Sequence, residues 1–161
     1  MIDLERETTA DLLRLHARVE AELRRREVLR TGNGPVGDYA EHLFRRAYGW
    51  ALEANSKAGY DAVDASGNRY QIKGRREAAG TKSRQLSAIR NLAAGDFDFL
   101  AAVLFDEHYG VSRAIVLPRS VVLLRASYSA HTNSHILILS DALWALPEAR
   151  DVTPDLIRAA P

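Results

Sequence analysis

The spacing of apolar residues predicts two amphipathic helices in the first third of the chain. Between Thr9 and Arg30, apolar residues recur at three- and four-residue steps, at Leu12, Leu15, Val19 and Leu23. This period is typical of a helix with one apolar stripe, and Gly32 is expected to end it. A second stripe between Asp38 and Ala54 predicts a second helix, whose apolar side carries Ala40, Leu43, Phe44, Ala47 and Ala51.

Strands are predicted in the middle of the chain. The runs Tyr60–Asp64 and Arg69–Lys73 contain β-branched and aromatic residues and are separated by turn-forming residues, which predicts a tight hairpin. The range Phe97–Phe105 is almost continuously apolar, as is typical of a strand buried on both faces. We expect this strand at the centre of a sheet, beside the hairpin, with Val111–Leu117 returning as the next strand.

Shorter helices are expected in the second half of the chain, over Ser83–Ala94, from Pro118 to about Ala126, over Asp141–Trp144 and from Thr153 onward. Together these elements predict one α/β domain over residues 38–161, with a mixed central β-sheet flanked by α-helices. Residues 1–30 contribute an N-terminal amphipathic helix. We favour packing of this helix on the domain; its narrow apolar stripe also leaves a dimerisation arm open.

Composition narrows the classes of function. The 161 residues suffice for one domain with a substantial core, and 47% of them are hydrophobic. The absence of cysteine excludes thiolate catalysis, disulfides and cysteine-based zinc sites. No apolar run has the length of a membrane span and the acidic N-terminus does not have the features of a signal peptide, so we expect a cytoplasmic location without membrane contact. With a net charge of only +1, a nucleic-acid-binding surface would have to come from local clustering of cations.

The turn of the hairpin determines which side chains share a face. Asp is favoured at the first position of a type I turn and Gly at the left-handed position after it, so Asp64 and Gly67 predict a three-residue loop. In that register Asp61 pairs with Gln71, and Asp61, Gln71 and Lys73 lie on one face. A two-residue turn would put Asp64 on this face instead, which makes Asp64 the alternative candidate.

The side chains on this face are suited to phosphodiester chemistry. The carboxylate of Asp61 and the carboxamide of Gln71 offer oxygen ligands to a hard cation such as Mg²⁺. The ammonium group of Lys73 can hold a water molecule or neutralise charge on a phosphoryl oxygen. The competing interpretation is a surface hairpin with a cross-strand Asp–Lys pair, which would contribute little to stability.

Gly59-Tyr60-Asp61 followed by Gln71-Ile72-Lys73 resembles the signature of the PD-(D/E)XK nuclease superfamily, in its Mrr-like variant with Q-x-K. Members have a restriction-endonuclease-like core, in which an Asp on one strand and a (D/E)-x-K on the next bind metal and cleave phosphodiesters. The resemblance implies an endonuclease dependent on Mg²⁺ or Mn²⁺ that acts on DNA. It implies Asp61, Gln71 and the carbonyl of Ile72 as metal ligands, and Lys73 as the residue that orients the attacking water. Gln71 stands where most members have an acid.

The same resemblance suggests roles for two further groups. Many members carry a Glu on the helix before the Asp strand, a position that Glu41 occupies here; Asp38 and Glu41 also fit a capping box, and the two roles are compatible. The cations that follow the hairpin would form a phosphate-binding surface, for which a solvated helix face is the alternative. These cations are Arg75, Arg76, Lys82, Arg84 and Arg90. Because the chain is short, gripping a DNA duplex is expected to need a homodimer or a partner protein.

Two other motifs do not support a function. Residues Gly32–Gly37 match G-x-G-x-x-G, but a charged helix and not a strand precedes them, so no dinucleotide is expected. His131 and His135 lie four residues apart in a segment without helical period, so no zinc site is expected. The neutral Gln71 and the lack of a basic excess favour one alternative function, a catalytically inactive nucleic-acid-binding or assembly module with a nuclease-like fold.

Overall fold

The computed structural model describes residues 2–54 and 59–161. The helices are α1 (Thr9–Arg25), α2 (Pro35–Tyr48), α3 (Arg119–Arg125), α4 (Asp141–Trp144) and α5 (Thr153–Ala159). The strands are β1 (Ala51–Leu52), β2 (Ala62–Val63), β3 (Arg69–Arg76), β4 (Phe99–Phe105), β5 (Val111–Pro118), β6 (Ser127–Ser129), β7 (Ser134–Ile136) and β8 (Arg150–Asp151). None of the described helices is long and apolar enough to cross a membrane.

A six-stranded mixed sheet forms the centre of the domain, in the order β1-β2-β3-β4-β5-β8. Strands β3 and β4 are parallel, and the other neighbours in the sheet are antiparallel. Strand β4 lies between β3 and β5, and its residues from Leu100 to Phe105 are buried. The predicted α/β class, the mixed sheet and the central position of the apolar strand are therefore confirmed.

Each face of the sheet has its own hydrophobic core. On the first face, α2 and α5 pack on β3, β4 and β5, with Phe44, Ile72 and Leu156 buried between them. On the second face, α3, α4 and the chain around residues 86–92 cover Leu100 and Ala102. Because side chains alternate along a strand, Ile72 faces α2 whereas its neighbours in β3 face the second core. This alternation decides which groups reach the candidate site from each side.

The first helix ends earlier than the sequence predicted. Its N-terminus is capped by the hydroxyl of Thr8, which accepts a hydrogen bond from the amide of Asp11 at 3.2 Å. The helix stops at Arg25, and the chain then turns through Glu27, which has a φ of 57°. The predicted end near Arg30 is therefore wrong.

The second helix is shifted toward the N-terminus relative to the prediction. It begins at Pro35, because proline fits the first turn of a helix, where its missing N–H is not needed. It ends at Tyr48, because the next residue, Gly49, has a left-handed φ of 69° that breaks the helical run. The range predicted as its last turn contains strand β1.

The helix predicted over Ser83–Ala94 is wrong. Most of this segment is irregular and forms isolated bridges to residues 135–139: the amide of Leu86 donates to the carbonyl of Leu137 at 2.9 Å, and Ile89 exchanges two hydrogen bonds with His135. Only Leu92–Ala94 forms a single 3-10 turn. The inward-facing positions were nevertheless correct, since Leu86, Ile89 and Leu92 are buried.

Candidate active site at the edge of the sheet

The hairpin has the predicted register. Gly67 has a φ of 83°, and its amide donates to the carbonyl of Asp64 at 3.0 Å, as in a type I turn followed by a left-handed residue. Ala62 pairs with Tyr70 and Val63 with Arg69. The carboxylate of Asp64 belongs to the turn, where it accepts hydrogen bonds from Ser66, Asn68 and Tyr70. The alternative register, with Asp64 beside Gln71, is excluded.

Asp61 lies against β3 at the point where the pairing with β2 stops. Its Oδ2 accepts a hydrogen bond from the side-chain amide of Gln71 at 2.8 Å and one from the backbone amide of Ile72 at 2.6 Å. Burial raises the pKa of this half-buried carboxyl, while the Ile72 amide, the charge of Lys73 and the Gln71 amide oppose the rise. The other carboxylate oxygen, Oδ1, makes no hydrogen bond with a described residue.

The carbonyl of Ile72 points toward this edge. In a strand, the N–H and C=O groups of one residue point to the same side, and the Ile72 amide points to Asp61. Gln71 donates its amide hydrogen to Asp61, so its side-chain oxygen is left to accept from another group. Asp61, Gln71 and Ile72 therefore each contribute an oxygen at this edge, beside the first residue before β2.

Lys73 lies on the second face of β3, beside this edge. It is half-buried, and its ammonium group donates a hydrogen bond to the carbonyl of Ala88 at 3.1 Å. Desolvation lowers its pKa, with a further lowering from the charge of Arg90, while the charge of Asp61 acts in the opposite sense. The irregular segment that replaces the predicted helix thus fixes the position of this lysine.

Glu41 approaches the same edge from the first face, on α2. Its carboxylate forms an ion pair with Arg30 at 3.1 Å, and its side chain is 22% exposed. Burial and the negative charge of Asp61 raise the pKa of Glu41 from 4.5 to about 7, against the opposing effect of Arg30. The charges of Glu41 and Asp61 therefore interact across the sheet edge, although the two residues lie on different elements.

Arg30 completes this arrangement and was not identified from the sequence. Its guanidinium group bonds both the Glu41 carboxylate and the carbonyl of Glu53 at 2.8 Å, and the amide of Glu53 in turn donates to the carbonyl of Asp61. Asp38, buried in α2, accepts hydrogen bonds from the backbone amides of Arg30 and Thr31. The predicted capping box is thus wrong: Asp38 holds the segment before α2. No local sequence signal indicates this, because the partners meet only in the folded chain.

The predicted cations do not form one continuous surface. Arg75 lies on the same face of β3 as Lys73 and donates to the carbonyl of Ser83 at 3.2 Å, and Lys82 is exposed in the same neighbourhood. Arg84 is paired with Asp141 at 2.7 Å. Arg76 follows Arg75 in the strand and points to the opposite face, where it bonds the carbonyl of Glu107 and stacks on Tyr109.

The possible metal donors at this edge are oxygens that together carry little negative charge. Among residues 2–54 and 59–161, no group of three or more His, Cys, Asp or Glu side chains is arranged to hold a metal. The available donors are the Asp61 carboxylate, the neutral oxygens of Gln71 and Ile72, and Glu41 from the opposite side. Oxygen donors are the ligands that Mg²⁺ and Mn²⁺ prefer, and with so little negative charge these residues could hold such a cation only weakly.

The two histidines are not part of this site. His135 lies in β7, where its backbone pairs with Ile89 and its ring packs edge-on against Tyr128, with the ring centres 5.4 Å apart. His131 is exposed in the turn between β6 and β7.

No protein-family model matches the chain, and no curated protein matches it either. The function is therefore inferred from the chain's own residues.

Proposed function

We propose that the protein is a metal-dependent nuclease with a restriction-endonuclease-like core, which hydrolyses phosphodiester bonds in DNA with Mg²⁺ or Mn²⁺. The observation that carries the proposal is the hydrogen-bonded pair of Asp61 and Gln71 on the hairpin, with Lys73 on the same face two residues later. A surface ion pair, the competing interpretation, would have no need of a half-buried lysine bonded to a backbone carbonyl.

The metal would be held by the Oδ1 atom of Asp61, the side-chain oxygen of Gln71 and the carbonyl of Ile72. Glu41, whose pKa of about 7 leaves it partly ionised at neutral pH, would add a second carboxylate from the other side of the edge. When bound, the cation supplies Lewis-acid stabilisation of the negative charge that develops on the phosphate. Arg30 keeps the Glu41 side chain in place through its ion pair.

Lys73 would orient the attacking water and stabilise developing negative charge. One of its three N–H donors is used by the carbonyl of Ala88, which fixes the side chain and leaves two donors for a water molecule or a phosphoryl oxygen. A lysine of lowered pKa in a half-buried site is suited to such a role, since the surroundings of reacting groups commonly shift pKa values.

DNA is the proposed substrate because several cations lie on the Lys73 face of the sheet. Arg75, Lys82 and Arg90 lie along the chain that borders Lys73, and the charge of Arg90 acts on Lys73 itself. Phosphate groups would be neutralised by these side chains before any base is contacted. The net charge of the whole chain contributes little to this attraction.

The test is a cleavage assay on plasmid DNA, labelled duplex, single-stranded DNA and RNA, with Mg²⁺ or Mn²⁺. We expect the wild-type protein to cleave DNA, and Asp61→Asn and Lys73→Ala to lose the activity while keeping their thermal unfolding transition. Asp64→Asn is the matched control, because its carboxylate lies in the same hairpin but serves the turn; it should remain active. Full cleavage by Lys73→Ala would contradict the mechanism.

An inactive wild-type protein that binds DNA would favour the second candidate, a nucleic-acid-binding module that has kept the fold. The low charge of the proposed ligand set is the observation in favour of this candidate. Calorimetric titration with Mn²⁺ separates the two. A nuclease should bind Mn²⁺ and lose this binding in Asp61→Asn, whereas a binding module should give the same titration with and without the substitution.

A further inference from the structure

Within residues 2–54 and 59–161, no helix or strand buries the apolar stripe of helix α1. The helix has 17 residues, none of which is buried, although Leu12, Leu15, Val19 and Leu23 recur along one side. Leu12 is 37% exposed and Val19 is 50% exposed. Most of the stability of a helix in a protein comes from packing of its apolar face, so the apolar side of α1 is expected to be covered by another molecule.

We call residues 2–26 the N-terminal arm. Its two halves carry net charges of opposite sign. Residues 2–13 contain four carboxylates and one arginine, a net charge of −3; the carboxylates are Asp3, Glu5, Glu7 and Asp11. Residues 14–26 contain five arginines and two glutamates, a net charge of +3 with His16 neutral; the arginines are Arg14, Arg18, Arg24, Arg25 and Arg26. The two halves are therefore complementary to each other in sign and in magnitude.

We propose that two copies of the chain associate through antiparallel pairing of their α1 helices. In that orientation the acidic half of each arm lies beside the basic half of the other, and the Leu12–Val19 stripes of the two helices cover each other. A parallel pair would bring halves of like charge together, which is unfavourable. The antiparallel pair has two-fold symmetry, so each copy uses the same surface to contact the other.

The charge pattern also argues against other occupants of the stripe. The acidic half would repel the phosphates of a nucleic acid, so the N-terminal arm is not suited to lie along DNA over its whole length. Ion pairs within the helix, such as Arg25 with Glu22 at 2.7 Å, neutralise part of the basic half but leave its excess of arginine. The proposal goes beyond nuclease activity and does not depend on it.

The first experiment is sedimentation of the full chain over a range of concentrations. We expect a dimer that dissociates on dilution and weakens as salt is raised, because salt screens the charged halves. Leu12→Glu with Val19→Glu should give a monomer with unchanged thermal unfolding, since both residues are exposed. Leu124→Glu is the matched control: Leu124 is 83% exposed on α3, and its replacement should leave the dimer intact.

Charge reversal tests the complementarity of the halves. Replacing Arg24, Arg25 and Arg26 by Glu makes the whole arm acidic, and replacing Asp3, Glu5 and Glu7 by Lys makes it basic. Each variant alone should dimerise at least about tenfold more weakly than the wild type, and a mixture of the two variants should form a heterodimer.

Cross-linking tests the orientation, because the chain has no cysteine of its own. With a short bismaleimide, Thr9→Cys alone should give little cross-linked dimer, whereas a mixture of Thr9→Cys and Arg24→Cys should give the mixed product. Efficient cross-linking of Thr9→Cys to itself would show a parallel pair and overturn the proposal. A wild-type monomer at all concentrations, or a dimer that survives Leu12→Glu with Val19→Glu, would overturn it as well.

Discussion

At the scale of the residue, two carboxylates in one hairpin have opposite environments. Asp61 is half-buried, and its burial raises its pKa. Asp64, three residues later, accepts a hydrogen bond from the side chain of Asn68, which lowers its pKa more than any other contact, and it helps to close the turn. Only the carboxylate that is costly to ionise lies beside Gln71 and Ile72, and a cation at that edge would offset this cost.

Gln71→Glu should strengthen metal binding. The substitution adds an anion 2.8 Å from Asp61 with the same reach, so Mn²⁺ affinity should rise at least about tenfold. Without metal, the two carboxyls would share a proton and the variant should be less stable than the wild type. Calorimetric Mn²⁺ titration measures the affinity. Gln85→Glu, at an exposed position, is the matched control and should bind as the wild type does; an unchanged affinity in Gln71→Glu would remove Gln71 from the ligand set.

Glu41 should make the stability of the metal-free protein depend on pH. Its pKa is raised from 4.5 to about 7 in the folded state, so its protonated form is favoured by folding. This contribution is fully present below about pH 4.5 and is lost as the pH rises through about 7. Glu41→Gln should therefore reduce the pH dependence of the free energy of unfolding over this range, by roughly 1–3 kcal/mol.

Urea unfolding at a series of pH values between about 4.5 and 8 measures this effect. The loss of the Arg30 ion pair changes the overall stability of the variant, but the pH slope isolates the titration of Glu41. An identical slope in the wild type and in Glu41→Gln would show that another group titrates there.

At the scale of the element, the close packing of α2 on β3 brings Glu41 to the site. A methyl group built on Gly74 would lie 2.9 Å from the carbonyl oxygen of Val36 and 3.1 Å from Cβ of Ala40. Helix and strand backbones therefore approach more closely at this position than a larger residue allows. The helix carries both Asp38 and Glu41, so its distance from β3 determines how closely Glu41 approaches the site from the first face of the sheet.

Gly74→Ala should destabilise the protein and weaken metal binding together. Because the methyl group meets the backbone of α2, the helix must move, at a cost of about 1–3 kcal/mol. Gly37→Ala is the matched control within α2: nothing lies within 4 Å of the added group, and alanine favours the helix by about 0.5–1 kcal/mol. Thermal unfolding measures both effects, and equal stability of the two variants would contradict this account of the packing.

At the scale of the whole molecule, DNA binding should depend on one face of the sheet. The double variant Lys82→Ala with Arg90→Ala is made in an Asp61→Asn background, which prevents cleavage. It should bind DNA several-fold more weakly than this background. The slope of log affinity against log salt concentration should fall in magnitude by about 1 per lost phosphate contact. Arg46→Ala, an exposed arginine on α2 and thus on the opposite side of the sheet, is the control and should bind normally. Fluorescence anisotropy at several salt concentrations tests this; equal losses in both variants would indicate binding without a defined surface.

The sequence alone determined the features that depend on neighbouring residues. The hairpin and its register follow from Asp64 and Gly67, because a left-handed turn position admits few residues other than glycine. The central strand follows from a continuous apolar run, which no exposed element could carry. The placement of Asp61 beside Gln71 could be predicted for the same reason, since pairing across a short turn is a local property.

Only the tertiary structure decided the features that depend on distant partners. A spacing of three residues between Leu86, Ile89 and Leu92 suits a helix, but backbone hydrogen bonds to residues more than forty positions away keep most of this segment from forming one. That segment supplies the carbonyl that fixes Lys73. The chain before α2 supplies Arg30, which pairs with Glu41. These two contacts join residues 15 and 11 positions apart on different elements, so local propensity carries no information about them, and burial in the folded chain selects them.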